Sequence, residues 1–294
     1  MKHNKALGQI SFLIKLLTDR DEFVRNRVQE QLIDLGEDAL PFLEIAVRGG
    51  DDDLRIQANA VIQSILPQKL AEKFRQLAQK GLGQDIDLET GMMLIMEFGY
   101  PNSDPEEFRQ KLDKLAQNFS DILNPEAEPP EIVAAFTHFL FQQKGFKGNK
   151  DDYQNPDNSF LNKVLDNQIG LPITLSAICV LLAKRLNLPI VGVGMPGHYI
   201  VKYSLPIEPI YFDPFHQGRL LTKKECIQIV EQFGHSFEEH FLSQATQRET
   251  LIRMLNNLIQ VYKKSNETKK AETLTKYIKI LLNPSKGQQS EIIH

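Results

Sequence analysis

The stretch that most constrains the fold runs from Asn158 to Pro214, NSFLNKVLDNQIGLPITLSAICVLLAKRLNLPIVGVGMPGHYIVKYSLPIEPIYFDP. An apolar helix is expected from about Pro172 to Leu186. A strand of small residues, Ile190 to Gly194, follows; His198 opens a second strand and Asp213 ends a third. The remaining chain reads as helices packed around this centre. The order is chemically suggestive. A reactive residue at a helix N-terminus, then His on one strand and Asp on the next, is the layout of a thiol triad, with the His as base and the Asp as its orienter. The last two members are present, so the identity of the first decides the function.

Composition excludes several classes. The 294 residues suffice for two or more domains. A hydrophobic content of 41% and a charged content of 24% fit a globular chain. A net charge of -4, with no basic stripe carrying interleaved aromatics, argues against nucleic acid as a partner. Two cysteines, Cys179 and Cys226, are too few for a disulfide framework, and Cys179 falls in the apolar helix, which points to a reduced, cytoplasmic setting. The N-terminal apolar run is broken by Lys15 and Asp19, and the longest apolar run, Ala177 to Ala183, is too short for a bilayer; neither a signal peptide nor membrane association is expected.

Residues 8–66 hold an internal repeat. DEFVRNRVQEQLIDLG from Asp21 aligns with DDDLRIQANAVIQSIL from Asp51, 30 residues on. Val24, Val28, Leu32 and Leu35 have helical spacing, Asp21 and Asp51 are candidate N-caps, and Gly36 and Gly49-Gly50 are stop signals. Pro41 suits the first turn of another helix. The pattern resembles HEAT-type helical repeats; an ordinary helical bundle reads equally well, and two units are fewer than the roughly three that stand alone. Residues 68–83 continue as a helix ending at Gly81 and Gly83, and Asp87 caps the next, whose Met92, Met93 and Met96 read as core filler. Ser103 or Asp104 caps a helix carrying Phe108, Leu112, Leu115 and Phe119, and NPEAEPP (124–130) is the clearest linker. A helix from Glu131 to Gln143 precedes a polar loop, GFKGNKDDYQNPDNS. Beyond Asp213, LTKKECIQIVEQFG reads as a helix that buries Cys226 at least in part. Residues 244–282 form two helices joined at Ser265-Asn266, resembling a tetratricopeptide hairpin or a plain helical one. The tail after Pro284 is expected to be disordered.

Two motifs invite other readings. Gly192 to Gly197 spells G-x-G-x-x-G, but HYIVKY after it alternates like a strand instead of opening a helix, and Pro196 lacks a donor a phosphate would need; the glycines suit a tight hairpin. His198, Asp213 and His216 could suggest a metal, yet no pair has i, i+4 spacing and neither cysteine sits in C-x-x-C, so no metal and no cofactor is expected; His216 falls in an exposed turn after Pro214.

The runs NSFLNKVLD, GLPITLSAI, LAKRLNLPIVGVGMPGHYIV, FDPF and GRLLTKKEC, from Asn158 through Glu225, resemble the SirB1 family, whose core is transglutaminase-like. With the flanking helices, the resemblance extends over about two-thirds of the chain. It implies a nucleophilic Cys two residues after a Gly, at the start of the helix. The corresponding triplet is Gly170-Leu171-Pro172, so the nucleophile position holds Pro172, while His198 and Asp213 match the family's His and Asp. Cys179 lies two turns further along and inside the core; Thr174 and Ser176, in the first turns, are the hydroxyls that could reach His198.

The expected fold is α+β and mostly helical, with a small antiparallel sheet packed on a central helix in a transglutaminase-like or papain-like core and helical-repeat flanks. The domains are a HEAT-like region (1–83), a helical segment (84–125), the core (126–242), a tetratricopeptide-like hairpin (243–284) and a tail (285–294). The expected function is non-catalytic, in protein–protein interaction or peptide recognition through a vestigial triad of His198 and Asp213. The alternative is an atypical peptidase or acyltransferase-like hydrolase using the same two residues with an unusual nucleophile.

Overall fold

The computed structural model describes residues 2–284, with side chains from Gln9 onward; the tail expected to be disordered lies outside the described residues. The chain forms two compact units, Met1–Lys73 and Phe74–His294.

The first unit is helical, built from α1 (Lys2–Lys15), α2 (Glu22–Leu35), α3 (Leu40–Gly49) and the opening turns of α4 (Asp52–Lys80). Both copies of the repeat start on their aspartates. Asp21 accepts a bond from the Phe23 amide at 2.8 Å and Asp51 from the Leu54 amide at 2.9 Å, each satisfying an amide that the helix itself leaves unpaired. Leu17, Leu32, Leu43 and Ala58 are fully buried in its core. α4 runs unbroken through Pro67, joining the second repeat copy to the helix expected from residue 68.

In the second unit, α5 (Leu88–Gly99) is capped by Asp87 and buries Met92, Met93 and Met96 as filler. α6 (Pro105–Ser120) is capped by Asp104, not Ser103. α7 (Pro129–Thr137) passes into a wider turn over His138–Gln143. Two short strands, β1 (Lys147–Gly148) and β2 (Ile169–Gly170), pair in parallel on either side of α8 (Leu161–Asn167). Then come α9 (Pro172–Leu186) and the strands β3 (Ile190–Val193), β4 (Ile200–Tyr203), β5 (Ile210–Asp213) and β6 (Arg219–Leu221). These four form an antiparallel meander in chain order. α10 (Lys223–Gln232) follows, and α11 (Gln247–Lys264) and α12 (Thr268–Leu282) close the chain as a hairpin turned at Asn266, whose φ is +61°.

The architecture is α+β, as the sequence predicts, with α9 at its centre. Ile173, Leu175, Ile178, Leu181 and Leu182 are all buried, because β3 and β4 cover one side of the helix while α5, α6 and α11 cover the others. At about 1.5–3 kcal/mol per fully buried aliphatic side chain, this helix anchors the unit.

The sheet differs from expectation in two places. His198 does not open a strand: it sits in a six-residue loop, Gly194–Tyr199, and β4 begins at Ile200. The reason is Gly197, held at φ +75°, where the chain turns before pairing starts. The loop is longer than a tight hairpin. Gly192 meets a packing need, since a Cβ there would lie 2.3 Å from the Tyr199 hydroxyl oxygen.

Candidate functional site

The site is built where α9, the loop before β4 and the end of β5 meet. Leu171 is extended and Pro172 takes the first helical position, where its missing N–H costs nothing. The β1–β2 pair fixes this helix start, and Leu171 donates its amide to the Asn158 carbonyl at 3.2 Å. Val201 pairs with Phe212, so the antiparallel register carries Asp213 to the mouth of β4, beside the loop that bears His198.

Asp213 is 2% exposed and accepts on both oxygens. Oδ2 lies 2.7 Å from His198 Nε2 and 2.7 Å from His216 Nδ1. Oδ1 accepts from the amides of Phe215 and His216 at 2.9 and 3.3 Å, the cap of a short turn over Pro214–His216. Burial pushes the Asp213 carboxyl up, but the bonds and charges of His198 and His216 outweigh it and hold the carboxyl below its ordinary range. The sequence places His216 in an exposed turn after Pro214 and groups it with His198 and Asp213 only as a metal set that the spacing argues against. The structure folds that turn back so that its ring shares an oxygen with His198.

These groups open on a cleft of about 620 Å³. Pro172, His198, Asp213 and His216 line it, with Tyr153, Phe215 and Phe233 as aromatic walls and an Arg219–Glu225 ion pair among its polar groups. Tyr153 comes from the polar loop before α8, which carried no functional signal in the sequence. That loop is pinned by Asn158, whose amide donates to the Asp152 carbonyl at 2.8 Å and whose oxygen accepts from Asn149 at 2.9 Å.

Neither cysteine faces the cleft. Cys179 is buried in α9, and burial pushes its thiol far up. Cys226 is buried under β5 and β6, its thiol pushed up to about 11 by burial and then by Glu225. Thr174 and Ser176 are fully buried and absent from the cleft lining; the Ser176 hydroxyl is directed at the Tyr199 carbonyl, 3.5 Å away.

A support the sequence did not show comes from α11. Arg253 donates to the carbonyls of Met195 at 2.8 Å and His198 at 3.0 Å, with its guanidinium over the Tyr199 ring. Burial pulls its pKa down, and it makes no ion pair among the described residues. The C-terminal hairpin thereby holds the loop that carries His198.

A model of the transglutaminase-like superfamily (Transglut_core2) matches residues 106–256, which contain every group of this cleft. A UPF0162 protein of Xylella fastidiosa (strain 9a5c) is 33% identical over 198 residues, 64% of this chain and 69% of that protein. The chain is a transglutaminase-like protein of the UPF0162 family. A UPF0162 protein of Pseudomonas aeruginosa is 27% identical over 170 residues, covering 57% of this chain and 62% of its own. F-box only protein 21 of Homo sapiens is 29% identical over 142 residues, 46% of this chain but 22% of its own length. No solved structure matches the chain. In this UPF0162 protein, the expected transglutaminase-like core is borne out. No helix among the described residues is long and apolar enough to cross a membrane.

Proposed function

We propose that this UPF0162 protein is a non-catalytic transglutaminase-like module that recognises a peptide segment of a protein partner. One observation carries the reading. At the start of α9, in the cleft that holds His198 and Asp213, the side chain present is Pro172, which offers no nucleophile. The base and its orienter have nothing to activate. The hydroxyls that could replace a thiol, Thr174 and Ser176, are buried away from the cleft, which weighs against the atypical hydrolase. The His198–Asp213 pair then serves to lock the loop before β4 onto the end of β5.

The cleft suits recognition. Its aromatic walls can cover apolar side chains, and Gln228, Gln232, Arg219 and Glu225 offer donors and acceptors to a peptide backbone. The region similar to this chain is a minor part of the longer F-box only protein 21 chain, which fits a module that can be joined to others. The HEAT-like and tetratricopeptide-like readings of residues 1–83 and 243–284 belong to this proposal, since paired helices offer further faces for a protein partner. The buried thiols suit a reducing, cytoplasmic setting.

The test is a panel of extended peptides incubated with the full chain, with binding read by fluorescence anisotropy and peptide mass read afterwards. Saturable binding that Phe233→Arg weakens, with every peptide recovered at its original mass, is the expected result. Hydrolysis, deamidation or acyl transfer that disappears in His198→Ala would overturn the reading, as would binding indifferent to Phe233→Arg.

A further inference from the structure

We infer that His198, Asp213 and His216 form a binding site for one divalent transition-metal ion, with Zn²⁺ the ion the donor set suits best. The inference goes beyond peptide recognition and does not depend on it.

The three ligand atoms, His198 Nε2, Asp213 Oδ2 and His216 Nδ1, lie within 4.8 Å of one another. Both imidazole nitrogens sit 2.7 Å from the same carboxylate oxygen. The two rings occupy both lone pairs of that oxygen and set three metal-ligating atoms around one point. Four-coordinate Zn²⁺ at about 2.0–2.1 Å from each donor holds its donors about 3.3 Å apart. Opening each nitrogen–oxygen pair from 2.7 Å by about 0.6 Å, and drawing the two imidazole nitrogens, which lie within 4.8 Å of each other, toward the same separation, forms that shell. His216 can supply the movement, since its side chain is 46% exposed and it lies on a three-residue turn.

A second observation points the same way. The Asp213 oxygen that does not face the rings is held by the amides of Phe215 and His216. The carboxylate is thus oriented from behind, with its other oxygen presented to both imidazoles. Outer hydrogen bonds of this kind aim a metal-binding carboxylate.

The protons balance without loss. In the hydrogen-bonded arrangement each ring presents an N–H to Oδ2. On binding, each proton moves to the ring's other nitrogen, and the bared lone pairs meet the ion together with the ionised carboxylate. Two neutral imidazoles and one carboxylate bring a 2+ ion to a net charge of +1. All three residues line the cleft, so the remaining coordination position faces it, open to water or to an anionic group of whatever the cleft takes. Mixed nitrogen and oxygen donors with an open position suit Zn²⁺, Co²⁺ or Fe²⁺ over Mg²⁺ or Ca²⁺, which prefer all-oxygen shells. The sequence hides the site because its ligands follow neither an i, i+4 helix spacing nor a C-x-x-C.

The experiment uses the full chain, stripped with a chelator, exchanged into chelator-free buffer and titrated with Zn²⁺ by calorimetry and with Co²⁺ by visible absorption, with no peptide present. Expected are one ion per chain, Co²⁺ d–d bands, and an affinity at least about tenfold weaker in His216→Ala and in Asp213→Asn. Because His216 is half exposed, His216→Ala should keep the wild-type circular dichroism, so its loss of binding reports the ligand and not the fold. His240→Ala is the control, as His240 sits on the surface beside Glu238 at 3.1 Å. Binding that survives His216→Ala and Asp213→Asn, or falls only with His240→Ala, overturns the inference, as does the absence of stoichiometric binding. None of these outcomes bears on whether peptides bind in the cleft.

Discussion

Asp213 is the residue whose alteration tests the site most directly. It accepts four hydrogen bonds while 2% exposed, and Asp213→Asn changes only half of them. The amide oxygen can still accept from the backbone of Phe215 and His216. The two imidazole bonds at 2.7 Å are lost, because an NH₂ group meets two ring N–H groups. Bonds to a charged group contribute about 1.5–3 kcal/mol each. The His216 bond counts for less, since solvent reaches that ring. Removing a buried charge, and flipping one ring to present its bare nitrogen, give back part of the loss. The net destabilisation should be about 2 kcal/mol. Asp213→Ala, which also strands the two amides, should cost about 3–5 kcal/mol. The assay is urea unfolding in chelator, followed by tyrosine near-ultraviolet circular dichroism. All 7 tyrosines fall between Tyr100 and Tyr277 and the chain has no Trp, so the signal reports the second unit alone. The pH arm fixes the sign. The folded carboxyl lies below its ordinary value of about 3.9, so its stabilisation is fully present above that pH. It is lost as pH falls through the lowered folded value, and the gap between wild type and Asp213→Asn should close there. A gap under about 0.5 kcal/mol at neutral pH, or no coupling between Asp213→Asn and His198→Ala in a double-mutant cycle, would refute the reasoning.

Pro172→Cys places a thiol at the helix start beside the base; a thiol pKa lowered by about two units should alkylate about tenfold faster at pH 6 than a free thiol, and equal rates in Pro172→Cys and its His198→Ala double variant would show that the position is not the nucleophile site. Native alkylation at pH 7.5 should leave Cys226, with its thiol near 11, and Cys179, pushed higher, unmodified by intact mass; a fast-reacting thiol would contradict their burial. Gly197→Ala forces a Cβ to 2.0 Å from the Phe233 ring at φ +75°, and thermal melts should show a loss of at least about 1–2 kcal/mol. Arg253→Met removes the donors to Met195 and His198, so amide exchange across residues 194–199 should quicken while exchange in α9 stays slow; unchanged exchange in the loop would show that Arg253 does not hold it.

What the sequence revealed, and what it hid, divides by the range of the interaction. Caps are local, so Asp21, Asp51, Asp87 and the choice of Ser103 or Asp104 were legible from single residues before apolar periodicity. The centre of the fold was legible because the helix Pro172–Leu186 is apolar enough for nearly every residue up to Ala183 to be buried. The His198 and Asp213 pairing followed from strand order, since an antiparallel meander brings the mouth of one strand to the end of the next. Three features were not legible. The β1–β2 pair is two residues long on each side and has no periodicity to read. Arg253 reaches the loop from 55 residues away, and nothing near either residue signals it. His216 is the instructive miss. Asp213-Pro214 is a recognisable turn start, and an Asp that caps such a turn brings the residue three places on back over its own carboxylate. Read that way, D-P-F-H would have placed a second imidazole on Asp213.

On the proposed non-catalytic reading, that turn also explains how the site would persist without a nucleophile. A buried carboxylate is costly unless its lone pairs are occupied, and here the chain supplies four donors from residues 198, 215 and 216. Removing His198 would strip one of them, loosen the loop that Arg253 also holds, and leave Asp213 underbonded in the interior. The nucleophile position has no such ties. A residue at the first turn of α9 faces the cleft, and proline is favoured there by its fixed φ and missing N–H. The triad is therefore unequal in structural terms: the base and the orienter are needed by the fold, whereas the attacking residue is needed only by the chemistry. A chain that ceased to use the chemistry would lose the last and retain the other two, leaving the His198–Asp213–His216 cluster open to other ligands.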